Sequence, residues 1–145
     1  MEVEPIGTIH TPYKTVLECP RQGAGTDTVG EVEVFREFEE GLTDVEGFSH
    51  LILLCWLDRS DGYKLMVRTP WDARPHGVFA TRSPHRPNPI GLSIVRLLER
   101  MDNVLKVRGL DLVDGTPLID IKPFVPAFDG ADDVKIGWLE GKIGR

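Results

Sequence analysis

A stiff, cationic loop is the segment of this sequence whose residue types are best suited to bind a ligand. Residues 80–93 read A-T-R-S-P-H-R-P-N-P-I-G-L-S, with three prolines among two arginines and a histidine. Each proline fixes its own φ, removes a backbone donor and restricts the residue before it, so the segment cannot be a helix or a central strand. It therefore holds Arg82, His85 and Arg86 on a rigid loop, an arrangement typical of sites for anionic groups. A proline-rich turn with solvated arginines is the alternative interpretation.

A second segment places carboxylates among apolar residues. Residues 108–123 read R-G-L-D-L-V-D-G-T-P-L-I-D-I-K-P. Asp114 precedes a glycine and is most simply a turn residue whose carboxylate bonds the next backbone amides. Asp111 lies between two leucines, where a strand would bury it or direct it at a ligand, and a buried carboxylate needs a partner. Asp120 has the same requirement, and Lys122 or one of the loop arginines could provide the partner.

Common catalytic signatures are missing from the sequence. It has no Walker loop and no G-x-G-x-x-G after a predicted strand, so a dinucleotide-binding Rossmann site is not indicated. Its four histidines and two cysteines, Cys19 and Cys55, have neither metal-ligand nor disulfide-framework spacing, and no metal site is predicted. A triad of Ser83, His85 and Asp111 lacks a nucleophile elbow. The sequence thus identifies no catalytic nucleophile, acid or base.

Length and charge restrict the class of protein. The 145 residues predict one domain over 1–145. No apolar run is long enough to span a membrane and no signal-peptide core is present, so a cytoplasmic protein is expected. The net charge of −6 does not itself indicate nucleic acid. However, Arg68, Arg74, Arg82 and Arg86 fall in one short stretch, which predicts a local basic patch on an acidic body.

Short strands separated by turns are predicted along most of the chain. Alternating or continuous apolar residues predict strands at 4–10, 30–35, 48–57, 77–81, 90–99, 104–110 and 118–122. The segment 37–45 is interpreted as a short helix or turn, 17–28 as a long loop, and 59–76 as irregular. Many short strands with few long helices are typical of a β-barrel or sandwich.

These motifs together resemble one protein family. The proline loop, G-L-D-L-V-D-G-T-P-L-I-D-I-K-P and G-F-S-H-L are similar to segments of the TrmO/TsaA-like family, and the match runs from P-I-G-T-I-H-T-P-Y to I-K-P-F-V-P. The resemblance implies a mainly β fold, a small non-Rossmann β-barrel with short helices and long loops. It implies S-adenosylmethionine (SAM) as cofactor and a homodimer with SAM near the subunit interface. The implied reaction is methyl transfer to the N6 amine of threonylcarbamoyl-adenosine beside the tRNA anticodon.

The resemblance also implies which residues contact SAM. Matched to the family pattern, they are Arg21, Gln22, Asp58, Arg59, Arg82, Leu92, Arg108, Gly109, Leu110 and Asp111. Gly23 after Gln22 departs from the usual family motif, and backbone contact is expected at the variable Asp58–Arg59 pair. A rigid arginine such as Arg82 suits a carboxylate, whereas Asp111 suits an ammonium or ribose hydroxyls.

Substrate residues and alternatives follow from the same comparison. The tRNA candidates are the cations near the proline loop: Arg68, Arg74, His85 and Arg86. Many bacterial family members carry a further C-terminal domain, and we expect this chain's tRNA handling to lack what that domain adds. Two alternatives stay open, a SAM-dependent methyltransferase for another substrate and a non-enzymatic module that binds SAM or a nucleotide.

Overall fold

The structure, a computed structural model, describes residues 1–20 and 25–144. Its strands are β1 (Gly7–His10), β2 (Val29–Val34), β3 (His50–Trp56), β4 (Met66–Thr69), β5 (Asp72–Gly77), β6 (Ile90–Met101), β7 (Val104–Arg108) and β8 (Pro117–Pro123). The helical elements are one short α-helix, α1 (Pro126–Asp129), and 3-10 turns at Val16–Glu18, Arg36–Leu42, Val45–Gly47, Val78–Ala80 and Gly137–Leu139. No helix in these two ranges is long and apolar enough to cross a membrane.

Six strands close into an antiparallel barrel in the order β1-β2-β7-β6-β3-β8. Closure pairs every barrel strand on both sides and so leaves no unpaired sheet edge. Inward residues alternate with outward ones, as on β3, where Leu51, Leu53 and Cys55 are buried in the core and the residues between them are partly exposed. The predicted small, mainly β barrel is confirmed, although β3 is buried on one face rather than two.

The segment 59–81 differs from its prediction. Residues predicted to be irregular form the hairpin β4–β5, in which Thr69 pairs with Asp72 across a turn that begins at Pro70. Proline suits this turn position because its φ is already fixed. The predicted strand at 77–81 is instead a 3-10 turn, closed by hydrogen bonds from the Thr81 amide and hydroxyl to the Val78 carbonyl, at 3.1 and 2.8 Å. The hairpin was missed because its strands bury only Val67 and His76, so their sequence shows no apolar alternation.

The two ends of the barrel carry different loops. At the end we call the proline-loop end, Trp56 of β3 pairs with Ile90 of β6, and Arg108 of β7 pairs with Val29 of β2. Residues 81–89 form the predicted loop and lead directly into β6. The opposite, far end carries the 3-10 turns Arg36–Leu42 and Val45–Gly47. Segments distant in sequence therefore meet at the proline-loop end.

Candidate functional site

Asp111 lies at the proline-loop end, just after β7. Gly109, with a φ of 106°, turns the chain there, and its amide donates to the Thr28 carbonyl at 2.8 Å. Such a positive φ favours glycine. The flanking Leu110 and Leu112 are buried, so Asp111 faces the other way, where the Ser93 hydroxyl on β6 donates to its Oδ1 at 2.9 Å. The expectation that this aspartate is not a freely solvated surface group agrees with its partial burial.

Burial raises the pKa of the Asp111 carboxyl, and the hydrogen bonds from Ser93 and from its own backbone amide only partly oppose this. Within 1–20 and 25–144, no lysine or arginine forms an ion pair with Asp111. A carboxylate offers about four acceptor sites, and these two donors leave part of that capacity unused. Asp111 can therefore accept hydrogen bonds from a cationic or hydroxyl-bearing ligand.

Two thiols share the Asp111 neighbourhood. Burial, followed by the charge of Asp111, raises the pKa of Cys55 to about 12. The pKa of Cys19 is also raised, first by burial and then by the charges of Asp111 and Glu18. Cys19 belongs to the loop after β1 and Cys55 to β3, so both of these segments lie close enough to Asp111 to feel its charge. Thiols with raised pKa are poor nucleophiles, and neither is a candidate for covalent catalysis.

Asp114 has a different role from the one predicted. Instead of bonding the amides that follow it, its carboxylate accepts from the Thr11 amide at 3.0 Å and from Lys14 Nζ at 3.0 Å. Lys14, and next the Thr11 amide, hold the pKa of Asp114 below its usual range. Asp114 thus clamps the loop after β1, whose path leads to Cys19. The reason for the error is that the turn at Gly115 packs against a segment about 100 residues away in sequence.

The partners expected for Asp111 and Asp120 can be checked on β8, which carries Asp120 and Lys122. Lys122, one suggested partner for Asp111, pairs instead with Asp120, its Nζ lying 3.1 Å from Oδ2. The other oxygen of Asp120 accepts from the Ile121 amide at 2.9 Å. Lys122 therefore does not neutralise Asp111.

The arginines of the proline loop fall into two kinds. Nη1 of Arg86, which is partly buried, donates to the carbonyls of Thr81 and Ser83, both at 3.0 Å, and so braces the loop. Arg82 is exposed and makes no hydrogen bond or ion pair with the described part of the chain. Its guanidinium is free to bind a carboxylate or phosphate in a bidentate manner. His85 is exposed at the tip of the same loop.

The remaining predicted SAM residues lie at the same end of the barrel, apart from two that cannot be placed. Leu92 is on β6, opposite Leu54 of β3, and is partly buried. Asp58 and Arg59 follow β3, exposed and with Oδ1 and Nε 4.0 Å apart. Arg108 is the last residue of β7 and is exposed. Arg21 and Gln22 lie outside the described residues. Their contacts with SAM stay predictions.

Two of the tRNA candidates lie on the β4–β5 hairpin. Arg68 Nη1 donates to the Ala73 carbonyl at 2.5 Å, which ties this side chain across the hairpin. Arg74 is exposed on β5, and its amide donates to the Asp72 carboxylate at 3.2 Å. The Lys64 amide, just before the hairpin, donates to the His85 carbonyl of the proline loop, and the Val78 amide, just after the hairpin, donates to the Leu65 carbonyl. Hairpin, 3-10 turn and proline loop thus form one connected cationic lobe, residues 62–90.

Sequence reasoning missed Ser93 and a cleft at the far end. Ser93 gave no signal, because a serine in a strand is common and its contact with Asp111 depends on strand register. The cleft, about 700 Å³ in volume, is lined by apolar residues such as Phe38 and Leu51 and by four acidic residues: Glu37, Glu40, Asp44 and Asp120. None of the predicted site residues lines it.

Comparison with known proteins connects the chain to a family. The family model for the tRNA-methyltransferase O N-terminal domain matches residues 8–130. A probable S-adenosyl-L-methionine-binding protein of Archaeoglobus fulgidus is 52% identical over 140 residues, which cover 97% of this chain and 38% of that protein. A similarly described protein of Pyrococcus abyssi is 53% identical over 140 residues, covering 96% of this chain and 76% of the relative.

Enzymes of established name are also similar. The tRNA (adenine(37)-N6)-methyltransferase of Escherichia coli K12 is 40% identical over 151 residues, covering 96% of this chain and 64% of the enzyme. The crystal structure of TrmO from Pseudomonas aeruginosa superposes with a TM-score of 0.78 at 36% identity, covering 97% of this chain and 62% of that one. This chain therefore spans less than two thirds of the length of several proteins it resembles.

Proposed function

The chain belongs to the family of the tRNA-methyltransferase O N-terminal domain, and we propose that it is a SAM-dependent tRNA methyltransferase. Its substrate under this proposal is threonylcarbamoyl-adenosine beside the tRNA anticodon, and the acceptor is the N6 amine. The observation that carries the proposal is the combination at one barrel end of a carboxylate without a cationic partner, Asp111, and an exposed arginine without a partner, Arg82, among the described residues.

The residues present fit the polar groups of SAM. Asp111 would accept hydrogen bonds from the ammonium or the ribose hydroxyls, since only part of its acceptor capacity is used by Ser93 and its own amide. Arg82 would bind the carboxylate as a bidentate pair. When bound, SAM supplies a methyl group on a positively charged sulfur. The chain's task is to position the acceptor amine in line with that methyl group and to exclude water, which is where most of the rate enhancement of such a transfer arises.

Binding of tRNA is supported by the charge of the 62–90 lobe. The lobe has five lysines and arginines and one carboxylate, which leaves twelve cations against twenty-two carboxylates in the rest of the chain. Nucleic acid would therefore approach locally, along this lobe and away from the acidic barrel. Arg74 and His85 are exposed there, whereas Arg68 and Arg86 are partly engaged with backbone carbonyls.

A homodimer with SAM near the subunit interface is part of the proposal. Asp111 and Arg82 lie at one end of a small barrel, whereas the 700 Å³ cleft lies at the other end. Small-molecule sites bury most of their ligand, and a second subunit over the proline-loop end would supply that burial. Light scattering is expected to give the mass of a dimer at assay concentration, and a fully active monomer would contradict this.

A second candidate is a protein that binds SAM without methylating tRNA. It is favoured by the names of the archaeal relatives, which are described as SAM-binding proteins, and by the net charge of −6. Mass spectrometry of nucleosides distinguishes the two. The protein is incubated with SAM and with tRNA that does or does not carry the threonylcarbamoyl group. We expect a mass gain of one methyl group on threonylcarbamoyl-adenosine alone. Retained SAM binding with no methylated nucleoside would favour the second candidate.

A further inference from the structure

Phe79 is an exposed aromatic side chain within the cationic lobe. It leaves 76% of its surface exposed, at the centre of the 3-10 turn Val78–Ala80, whereas the preceding Val78 is buried. Its ring therefore takes no part in the apolar core and is accessible to a partner.

Hydrogen bonds to a neighbouring segment, within the turn itself and from the C-terminal segment hold the turn that carries Phe79. The Val78 amide donates to the Leu65 carbonyl of the neighbouring segment at 2.9 Å, and Thr81 closes the turn through two bonds to the Val78 carbonyl. From the C-terminal segment, the Trp138 indole donates to the Ala80 carbonyl at 2.8 Å. Phe79 is thus presented on rigid backbone, as a contact residue requires.

The tryptophan that supports this turn is itself held in place. Trp138 stacks on the His76 ring with centroids 3.9 Å apart and planes 13° from parallel. His76 is buried, and its Nε2 lies 2.9 Å from the Asp72 carboxylate. The only carboxylate of the lobe is therefore held against His76, and the five lysines and arginines of the lobe outnumber it. Phe79 therefore presents an apolar ring on a lobe with surplus positive charge.

We propose that Phe79 is a stacking platform for an unpaired base of the tRNA anticodon loop. An aromatic ring combined with phosphate-binding cations is how proteins hold unstacked bases, because every base offers a π-face and every phosphate a charge. The inference rests on the proposed function and extends it, since it assigns base contact to a residue outside the predicted SAM and phosphate sets. Arg74, an exposed tRNA candidate, lies five residues before Phe79 and supplies a cation.

A second copy of the chain is the competing occupant. Tyr63, Leu65, Met66 and Phe79 are all exposed, and Leu65 is joined to the Phe79 turn by a backbone hydrogen bond. A two-fold axis through this patch would make it face itself and bring each lobe's surplus of cations against that of the other, whereas an axis elsewhere at the proline-loop end leaves Phe79 exposed to RNA. Like charges juxtaposed in this way oppose association, whereas the same charges attract RNA.

The test compares tRNA affinity among variants of the full chain. Phe79→Ala and Phe79→Leu remove the ring, and the second keeps an apolar side chain. Phe79→Tyr keeps the ring and should bind as the wild type does. Phe128→Ala is the matched control, since Phe128 lies in α1 and is 83% exposed. With threonylcarbamoyl-bearing tRNA as the probe at fixed salt, Kd should rise roughly 5- to 150-fold in Phe79→Ala and Phe79→Leu, the scale of one base–aromatic stack.

The outcomes separate this inference from the function it rests on. SAM affinity should be unchanged in every Phe79 variant. If the wild type binds and methylates tRNA and the Ala and Leu variants do so equally well, the stacking role is overturned and the proposed function stands. If the wild type binds no tRNA, both fall. If Phe79→Ala lowers the light-scattering mass from dimer to monomer, and Met66→Ala does the same, Phe79 is a subunit contact and the stacking role is wrong.

Discussion

Asp111 and Asp114 lie three residues apart in one loop, yet their surroundings shift their pKa values in opposite directions. Asp114 accepts from the Thr11 amide and from Lys14, and these partners lower its pKa. Asp111 accepts from the Ser93 hydroxyl and its own amide, and burial raises its pKa. A charge matched by partners within the chain thus stabilises the fold, whereas a charge left partly unmatched is available to a ligand.

The proline loop repeats this contrast with positive charges. Arg86 donates to two carbonyls of its own loop, and Arg82, four residues earlier, makes no such bond within the described residues. Arg86 stabilises the conformation of the loop, and that conformation leaves the Arg82 guanidinium accessible to a ligand. The proline-loop end thus carries one acidic and one basic residue that support the fold, Asp114 and Arg86. It also carries one of each that is available to a ligand, Asp111 and Arg82. Substituting these residues one at a time tests the distinction.

The largest expected effect is that of Arg82→Ala on SAM binding. Loss of a charge-assisted hydrogen bond should weaken binding by about 1.5–3 kcal/mol, or roughly 10- to 150-fold in Kd, while the unfolding free energy stays within about 0.5 kcal/mol of wild type. Calorimetry and urea unfolding measure the two quantities. Arg36→Ala, at an exposed arginine of the far end, is the control and should change neither. An Arg82→Ala protein that unfolds readily but keeps full affinity would make Arg82 structural.

Asp114→Asn should show the reverse behaviour. Its carboxylate is 30% exposed and its partner Lys14 is 70% exposed, so the ion pair itself contributes little. Asn keeps an oxygen that can accept from the Thr11 amide, so the substitution removes the ion pair and changes the amide bond from charged to neutral. The unfolding free energy should fall by about 0.5–1 kcal/mol, with SAM affinity unchanged, and urea unfolding at neutral pH measures that fall. Lys14→Ala, which removes only the ion pair, should cost less, and an equal cost would show that the carboxylate charge adds nothing to the amide bond.

The two aspartates should also give opposite pH dependences. The stability that Asp114 contributes is present above its ordinary pKa of 3.8 and is lost as the pH falls through its lowered value, so wild type and Asp114→Asn should converge in acid. Asp111, with a raised pKa, favours the folded state below 3.8, and this contribution is lost as the pH rises through the raised value. Asp111→Asn should therefore gain stability relative to wild type between acid and neutral pH. Unfolding free energies that change equally with pH in the wild type and in both variants would contradict this contrast.

The smallest effect concerns thiol reactivity. Because the charge of Asp111 contributes to the raised pKa of Cys19, Asp111→Asn should increase the rate at which Cys19 is alkylated near pH 8. Cys55, with a pKa of about 12 and almost no exposed surface, should react slowly in both proteins. Mass spectrometry after timed iodoacetamide treatment resolves the two sites. An unchanged Cys19 rate would mean that the Asp111 charge does not reach that loop.

The barrel was predictable because its strands follow simple patterns. Alternation at 30–35 and the apolar run of 48–57 gave two of its strands with bounds accurate to a few residues. The hairpin β4–β5 was not predictable, since only Val67 and His76 are buried along it. The rigidity of the proline loop follows from its prolines alone. The hydrogen-bond partners of Asp111 and Asp114 could not be predicted from the sequence, because the Ser93–Asp111 and Thr11–Asp114 contacts depend on which barrel strands and loops meet in space.

The most direct test of the proposed SAM site is a SAM titration of Asp111→Asn and Asp114→Asn side by side. The two substitutions are chemically identical and three residues apart in one loop, so differences in affinity report only on their surroundings. We expect Asp111→Asn to weaken SAM binding by roughly tenfold or more, the scale of a charged hydrogen bond, and Asp114→Asn to bind SAM as the wild type does. Equal affinities in wild type and Asp111→Asn would contradict the assignment of this barrel end as the SAM site.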